Sequence, residues 1–157
     1  MYAIGVALGV LAGFVNSLLD IDTSFTSSLP GWLVASIVVV VLLHEGTHAS
    51  VAALLGHKPL VGLKPPLVYV NLTKKVPRVH FVMVTIAPSV VLDTLFVLVY
   101  AGGRFKLFCD LSFIINTIGS MGDMWVVLKL VRAPKGSLIQ DTETGFEVWA
   151  YDDRKTA

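Results

Sequence analysis

The sequence is short of the residues that anchor most soluble metal and redox sites. Cys109 is its only cysteine, so no intrachain disulfide can form and no thiolate cluster can hold a metal. Any ligand set must come from His, Asp or Glu. Charge is scarce as well: 15% of the 157 residues are charged, 55% are hydrophobic, and the net charge is +1. That balance favours neither sign, and the Lys and Arg residues are not interleaved with stacking aromatics, which argues against a nucleic-acid partner. Glutamate is missing between Glu45 and Glu143. A carboxylate-bridged di-iron centre needs a second Glu-x-x-His and further helical glutamates, which argues against that class.

Apolar sequence is abundant, with a mean hydropathy of +0.77. Four stretches, roughly residues 2–19, 32–55, 81–101 and 111–131, approach the ~20 helical residues that a bilayer requires. The first has no basic residue ahead of its apolar run and no small-x-small cleavage site, and is read as a span rather than a secretory signal. The sequence therefore predicts an all-α membrane protein, a single integral-membrane domain over residues 1–157 with about four transmembrane helices. A short β ribbon is expected between helices 2 and 3, and a cytosolic hairpin at the C-terminus.

Residues 21–31 carry no Lys or Arg, whereas residues 56–80 carry Lys58, Lys64, Lys74, Lys75 and Arg78. The positive-inside rule places that second loop, and both termini, in the cytoplasm. Lys129, Arg132 and Lys135 agree, while Arg104 and Lys106 reduce the contrast. A multi-pass protein in the lipid of a prokaryotic plasma membrane is expected. Within the basic loop, Pro59, Pro65, Pro66 and Pro77 exclude a long helix, and residues 67–73 have the β-branched and aromatic content of a strand. Residues 137–140 and 146–151 flank the turn-rich segment Asp141 to Gly145 and predict the terminal hairpin.

Ionisable residues interrupt the second span at one place, His44-Glu45-Gly46-Thr47-His48. Hydrocarbon penalises such groups by kcal/mol amounts, so three in one turn call for a compensating partner. On a helix, positions i and i+4 share a face, and the imidazoles of His44 and His48 can ligate one Zn²⁺. Glu45 lies about 100° around the axis, beside the metal rather than on it. That is the position of a general base, since zinc can lower the pKa of water to roughly 7 and a carboxylate can take its proton.

A catalytic zinc site needs a third protein ligand. Val51 and Leu54 stand where the soluble metzincin extension has its Gly and third His, so that source is absent. The candidates are Asp123, Asp93 and His80. At ~1.5 Å per residue His44 and His48 lie about 16 and 10 Å from the inner end of their span, Asp123 about 12 Å and Asp93 about 18 Å. Depth favours Asp123. Asp93 is otherwise expected to bond Ser or Thr side chains such as Ser89, or to support a zinc-bound His. Gly119, Ser120 and Gly122 are small enough to let the Asp123 helix approach the His44 helix closely. Asn116 is a candidate for binding substrate backbone or for capping a polar helix contact.

With Ala87-Pro88, the run from Asn116 to Asp123 and the closing segment from Asp141 to Val148, the His-Glu-x-x-His span resembles the small multi-pass zincin peptidases, distantly similar to site-2 intramembrane metalloproteases. The resemblance covers residues 40–150 approximately. It implies a zinc peptidase with His44, His48 and Asp123 as ligands and Glu45 as the catalytic acid/base. The expected function is zinc-dependent intramembrane hydrolysis of a peptide or transmembrane-protein substrate. The competing reading is a catalytically silent metal-binding scaffold that holds a partner helix. An edge of the ribbon near Val68 to Asn71 could pair with an unwound substrate strand.

Overall fold

The computed structural model of the chain describes residues 23–64, 67–103, 105–142 and 145–149. The first expected span, residues 2–19, lies outside them. Among the described residues the order is α1 (Thr23–Leu54), β1 (Leu60–Lys64), β2 (Leu67–Asn71), β3 (Val76–Pro77), α2 (Arg78–Ala101), α3 (Lys106–Gly119), α4 (Met121–Val131), β4 (Leu138–Thr142) and β5 (Gly145–Trp149). The chain is mostly helical, with two small sheets.

Residues Leu29–Leu54 of α1 and all of α2 are long and apolar enough to cross a membrane. The α1 helix holds the β-branched run Val38 to Val41, which has no strong helical preference of its own. In hydrocarbon every backbone N–H and C=O needs an internal partner, and a helix provides them within one segment. Only 11% of the most apolar window of α1 is buried inside the protein, against 33% for α2. Side chains such as Val38, Leu42 and Leu98 face outward.

The last expected span is a bent pair. Helix α3 begins at Lys106 rather than near residue 111, and α4 departs from it by 41°. The break falls at Gly119-Ser120, the kind of small pair at which helices kink. Backbone bonding continues through the bend, with Ser120 N–H donating to Asn116 at 2.8 Å and Met124 N–H to Ser120 at 3.0 Å. The two glycines do not serve the close approach expected of them, because a Cβ on Gly119 or Gly122 would meet nothing within 4 Å, whereas Ser120 is buried. They lie at the bend that starts α4, and Asp123 stands in the first turn beyond it.

The expected ribbon is β1 paired antiparallel with β2, from Leu60 opposite Asn71 to Lys64 opposite Leu67. Gly62 leaves room for the Tyr69 ring, which crosses its face, so a Cβ there would make the exposed Tyr69 side chain move aside. The terminal hairpin is β4 with β5, and β3 joins it in the order β3-β4-β5. That two-residue strand, ending in a proline, gave no periodic signal in the sequence.

Leu72 N–H donates to the Asp141 carboxylate at 2.9 Å, and the Gln140 side chain donates to Thr73 O at 3.0 Å. These bonds fasten the hairpin to the chain that follows β2. Beneath them Ala52, Leu72, Val76, Phe81, Val84, Leu130 and Ile139 form an apolar core that joins the β3-β4-β5 sheet and the chain after β2 to the helices. A second cluster, Val40, Leu92, Phe96 and Phe113, holds α1, α2 and α3 together. The polar motif of α1 lies between the two.

Candidate metal centre

His44 and His48 project from one face of α1, with ring centroids 4.8 Å apart. Their Nε2 atoms are separated by 3.2 Å. Asp123 brings Oδ2 to 3.1 Å from His44 Nε2 and 3.4 Å from His48 Nε2. Tetrahedral zinc with bonds of ~2.0–2.2 Å sets neighbouring donor atoms roughly 3.3–3.6 Å apart. The three separations come close to that spacing with no rearrangement of the backbone.

The outer nitrogens decide which way the lone pairs point. His48 Nδ1 is 2.8 Å from the Val84 carbonyl oxygen, which can only accept, so Nδ1 carries the proton. His44 Nδ1 is 3.0 Å from Asn116 Oδ1. The Asn116 amide nitrogen donates to Asp93 Oδ1 at 2.8 Å and to Pro88 O at 3.3 Å, which fixes Oδ1 as the acceptor and His44 Nδ1 as the donor. In the neutral rings both Nε2 lone pairs therefore face the Asp123 carboxylate. Three electron-pair donors converge on one point, an arrangement that a divalent cation satisfies and that costs energy without one. The donor set is of the nitrogen and oxygen type that zinc accepts.

Other polar groups of the motif are occupied elsewhere. The Thr47 and Ser50 hydroxyls donate back to the Leu43 and Gly46 carbonyls at 2.7 Å each. Glu45 is outside the ligand group and interacts with the backbone N–H of Val70 on β2. His80 pairs with His57 at 2.9 Å, away from the triad. Asp93 stands behind Asn116 instead of on the metal side, and Asn116 itself is fully buried. Of the candidate third ligands, the fold brings Asp123 to the two histidines.

A cavity of about 250 Å³ opens beside the triad, with His48 and Asp123 on one side. Asp141 and Thr142 of β4 and Phe146 of β5 line it as well. Burial pushes the Asp141 carboxyl above its ordinary value, while the Leu72 amide and the nearby His48 oppose that rise. Val84 and Asp141 carry no site role in the sequence reading, and Val70 enters it only as part of the Val68 to Asn71 edge. For Val84 a signal exists, since Pro88 lacks the N–H that would bond the carbonyl four residues earlier.

No solved structure matches the chain. A protein of Pyrococcus woesei described as "Uncharacterized 24.7 kDa protein in gap 5'region" is 31% identical over 145 residues. The match covers 88% of this chain and 64% of that relative, so the chain spans less than two thirds of the relative's length. Residues 37–138, which include the whole His-Glu-x-x-His turn, Asn116 and Asp123, match the profile of a family described as "Putative zincin peptidase", and the chain belongs to that family.

Proposed function

We propose that the chain is a zinc-dependent endopeptidase that hydrolyses a peptide bond at membrane depth, with Glu45 as general base. The observation that carries this reading is the convergence of His44 Nε2, His48 Nε2 and Asp123 Oδ2 within 3.1–3.4 Å, one residue from a carboxylate that is not part of the ligand set. Bound there, zinc would polarise the scissile carbonyl and make water acidic enough to ionise near neutral pH.

The protein groups supply the rest. His48 and His44 are held in the tautomer that offers Nε2, and their outer protons are retained by Val84 and Asn116. The Glu45 carboxylate takes a proton from the attacking water and passes it to the amide nitrogen as the C–N bond breaks. Strand β2 is paired on one side only, with β1, among the described residues. Its other edge faces Glu45 at Val70, a position from which an extended substrate could be held by backbone hydrogen bonds. A helical substrate has no free backbone groups for such pairing, so the reading requires local unwinding of the substrate.

The test is a pair of variants assayed in detergent or proteoliposomes. Glu45→Gln is expected to keep zinc and lose turnover by about 10²-fold or more, whereas Asp123→Ala is expected to lose zinc. Unchanged turnover in Glu45→Gln would remove the general-base assignment, and full zinc occupancy in Asp123→Ala would remove the ligand set.

A further inference from the structure

Resting on the peptidase reading, we infer that the cavity beside the triad is a subsite for one basic side chain of the substrate, a lysine or arginine whose cationic tip meets Asp141. Its size comes first. About 250 Å³ falls below the ~300 Å³ at which small-molecule pockets usually begin, so it suits a single side chain and not a length of peptide.

The lining is divided. Phe81, Val84, Val126 and Phe146 give apolar walls, which an aliphatic stem can cover as lysine and arginine stems commonly do. Asp141 places a carboxylate in the same cavity that His48 and Asp123 line. One of its oxygens accepts the Leu72 amide, and no Lys or Arg pairs with it among the described residues. A partly buried carboxylate without a cationic partner is costly, and that cost is relieved when a ligand brings one. A purely apolar side chain would bury the carboxylate further and leave it unmatched. Because His48 and Asp123 of the triad line this cavity, the subsite lies next to the bond that would be cut.

The ligand cation could also be a free peptide N-terminus, so the test separates the two. Zinc-loaded Glu45→Gln protein is titrated with peptide hydroxamates that differ at one position: N-acetylated lysine, N-acetylated norleucine, N-acetylated glutamate, and norleucine with a free α-amine. Norleucine keeps the stem and removes the charge. The lysine ligand is expected to bind about tenfold or more tighter than acetylated norleucine, with glutamate weakest. Asp141→Asn keeps an oxygen for the Leu72 amide and is expected to bring lysine and norleucine within about twofold of each other. Equal binding of lysine and norleucine, no binding of either, or a lysine preference that survives Asp141→Asn overturns the subsite. Tighter binding of the free-amine norleucine than of acetylated lysine overturns it in favour of N-terminus recognition. Because the protein used is inactive, these results do not depend on turnover. The peptidase reading fails separately, if wild type cleaves a peptide library no faster than Glu45→Gln.

Discussion

His48 donates its Nδ1 proton to the Val84 carbonyl at 2.8 Å, and Val84 is the residue whose helical partner Pro88 cannot supply. In an unbroken helix the N–H of residue 88 would bond the carbonyl of residue 84. Proline removes that donor, and a carbonyl left open away from water needs another. The histidine provides it and is oriented in return. Pro88 acts a second time through its own carbonyl, which accepts from the Asn116 amide that holds His44. One proline in α2 thus sets the direction of both imidazoles on α1.

Restoring the missing donor should therefore weaken the metal site while helping the helix. Pro88→Ala offers an N–H that competes with His48 for Val84 O. Zinc affinity is expected to fall about 10- to 100-fold, the range seen when an outer partner of a ligating histidine is lost. Chelator competition on the purified protein measures it. Wild-type affinity in Pro88→Ala would mean that the Val84 contact does not orient the ring.

Much of this centre was legible because its parts obey short-range rules. The four-residue spacing of His44 and His48 fixes a shared helical face, and Asp123 reaches both rings despite a bend that the sequence did not reveal. Gly119-Ser120 was present to be seen, but small residues mark both close helix contacts and kinks, and only the fold shows that they serve the kink. The ribbon followed from prolines and a β-rich run. The pairing of β3 with β4 did not, since a two-residue strand has no periodicity. Asp141 stayed hidden for a different reason: its meaning lies in bonds to Leu72, 69 residues away, which no local pattern encodes.

Asn116 relays a second orientation, from Asp93 to His44. Its removal should act on the metal more than on the fold of α3, because the helix has its backbone bonds without it. Asn116→Ala is expected to lower zinc affinity about 10- to 100-fold. Asp93→Asn, which leaves the Asn116 to Pro88 bond in place, should have a smaller effect in the same direction. Equal affinity in all three proteins, by the same chelator assay, would show that the relay has no bearing on the metal.

Asp141 gives a pH signature with a definite sign. Burial raises its folded-state value above that of the unfolded chain, so the native state holds the proton over a window in which the unfolded state has released it. Its contribution to stability is therefore fully present below the unfolded value of about 3.9 and is lost as pH rises through the folded value. In protein stripped of zinc, the thermal midpoint of wild type should decline relative to Asp141→Asn as pH rises through this window, and the two curves should run parallel above it. A constant difference across the whole range would show that Asp141 does not titrate differently on folding.

The free edge of β2 can be tested at a position chosen by strand geometry. Alternate residues of a strand direct their backbone groups to opposite sides. Val70 N–H points toward Glu45 and Leu72 N–H toward Asp141, so Val68 shares the open side while Tyr69 and Asn71 face β1. Val68→Pro removes one donor from the open edge and leaves the β1 pairing intact. Loss of one neutral hydrogen bond to substrate, at about 1 kcal/mol, predicts a roughly five- to tenfold fall in kcat/KM with zinc content unchanged. Val68→Ala, which keeps the N–H, should remain near wild type. If Val68→Pro cleaves as fast as Val68→Ala, substrate is not held along this edge, and Val70 serves only to position Glu45.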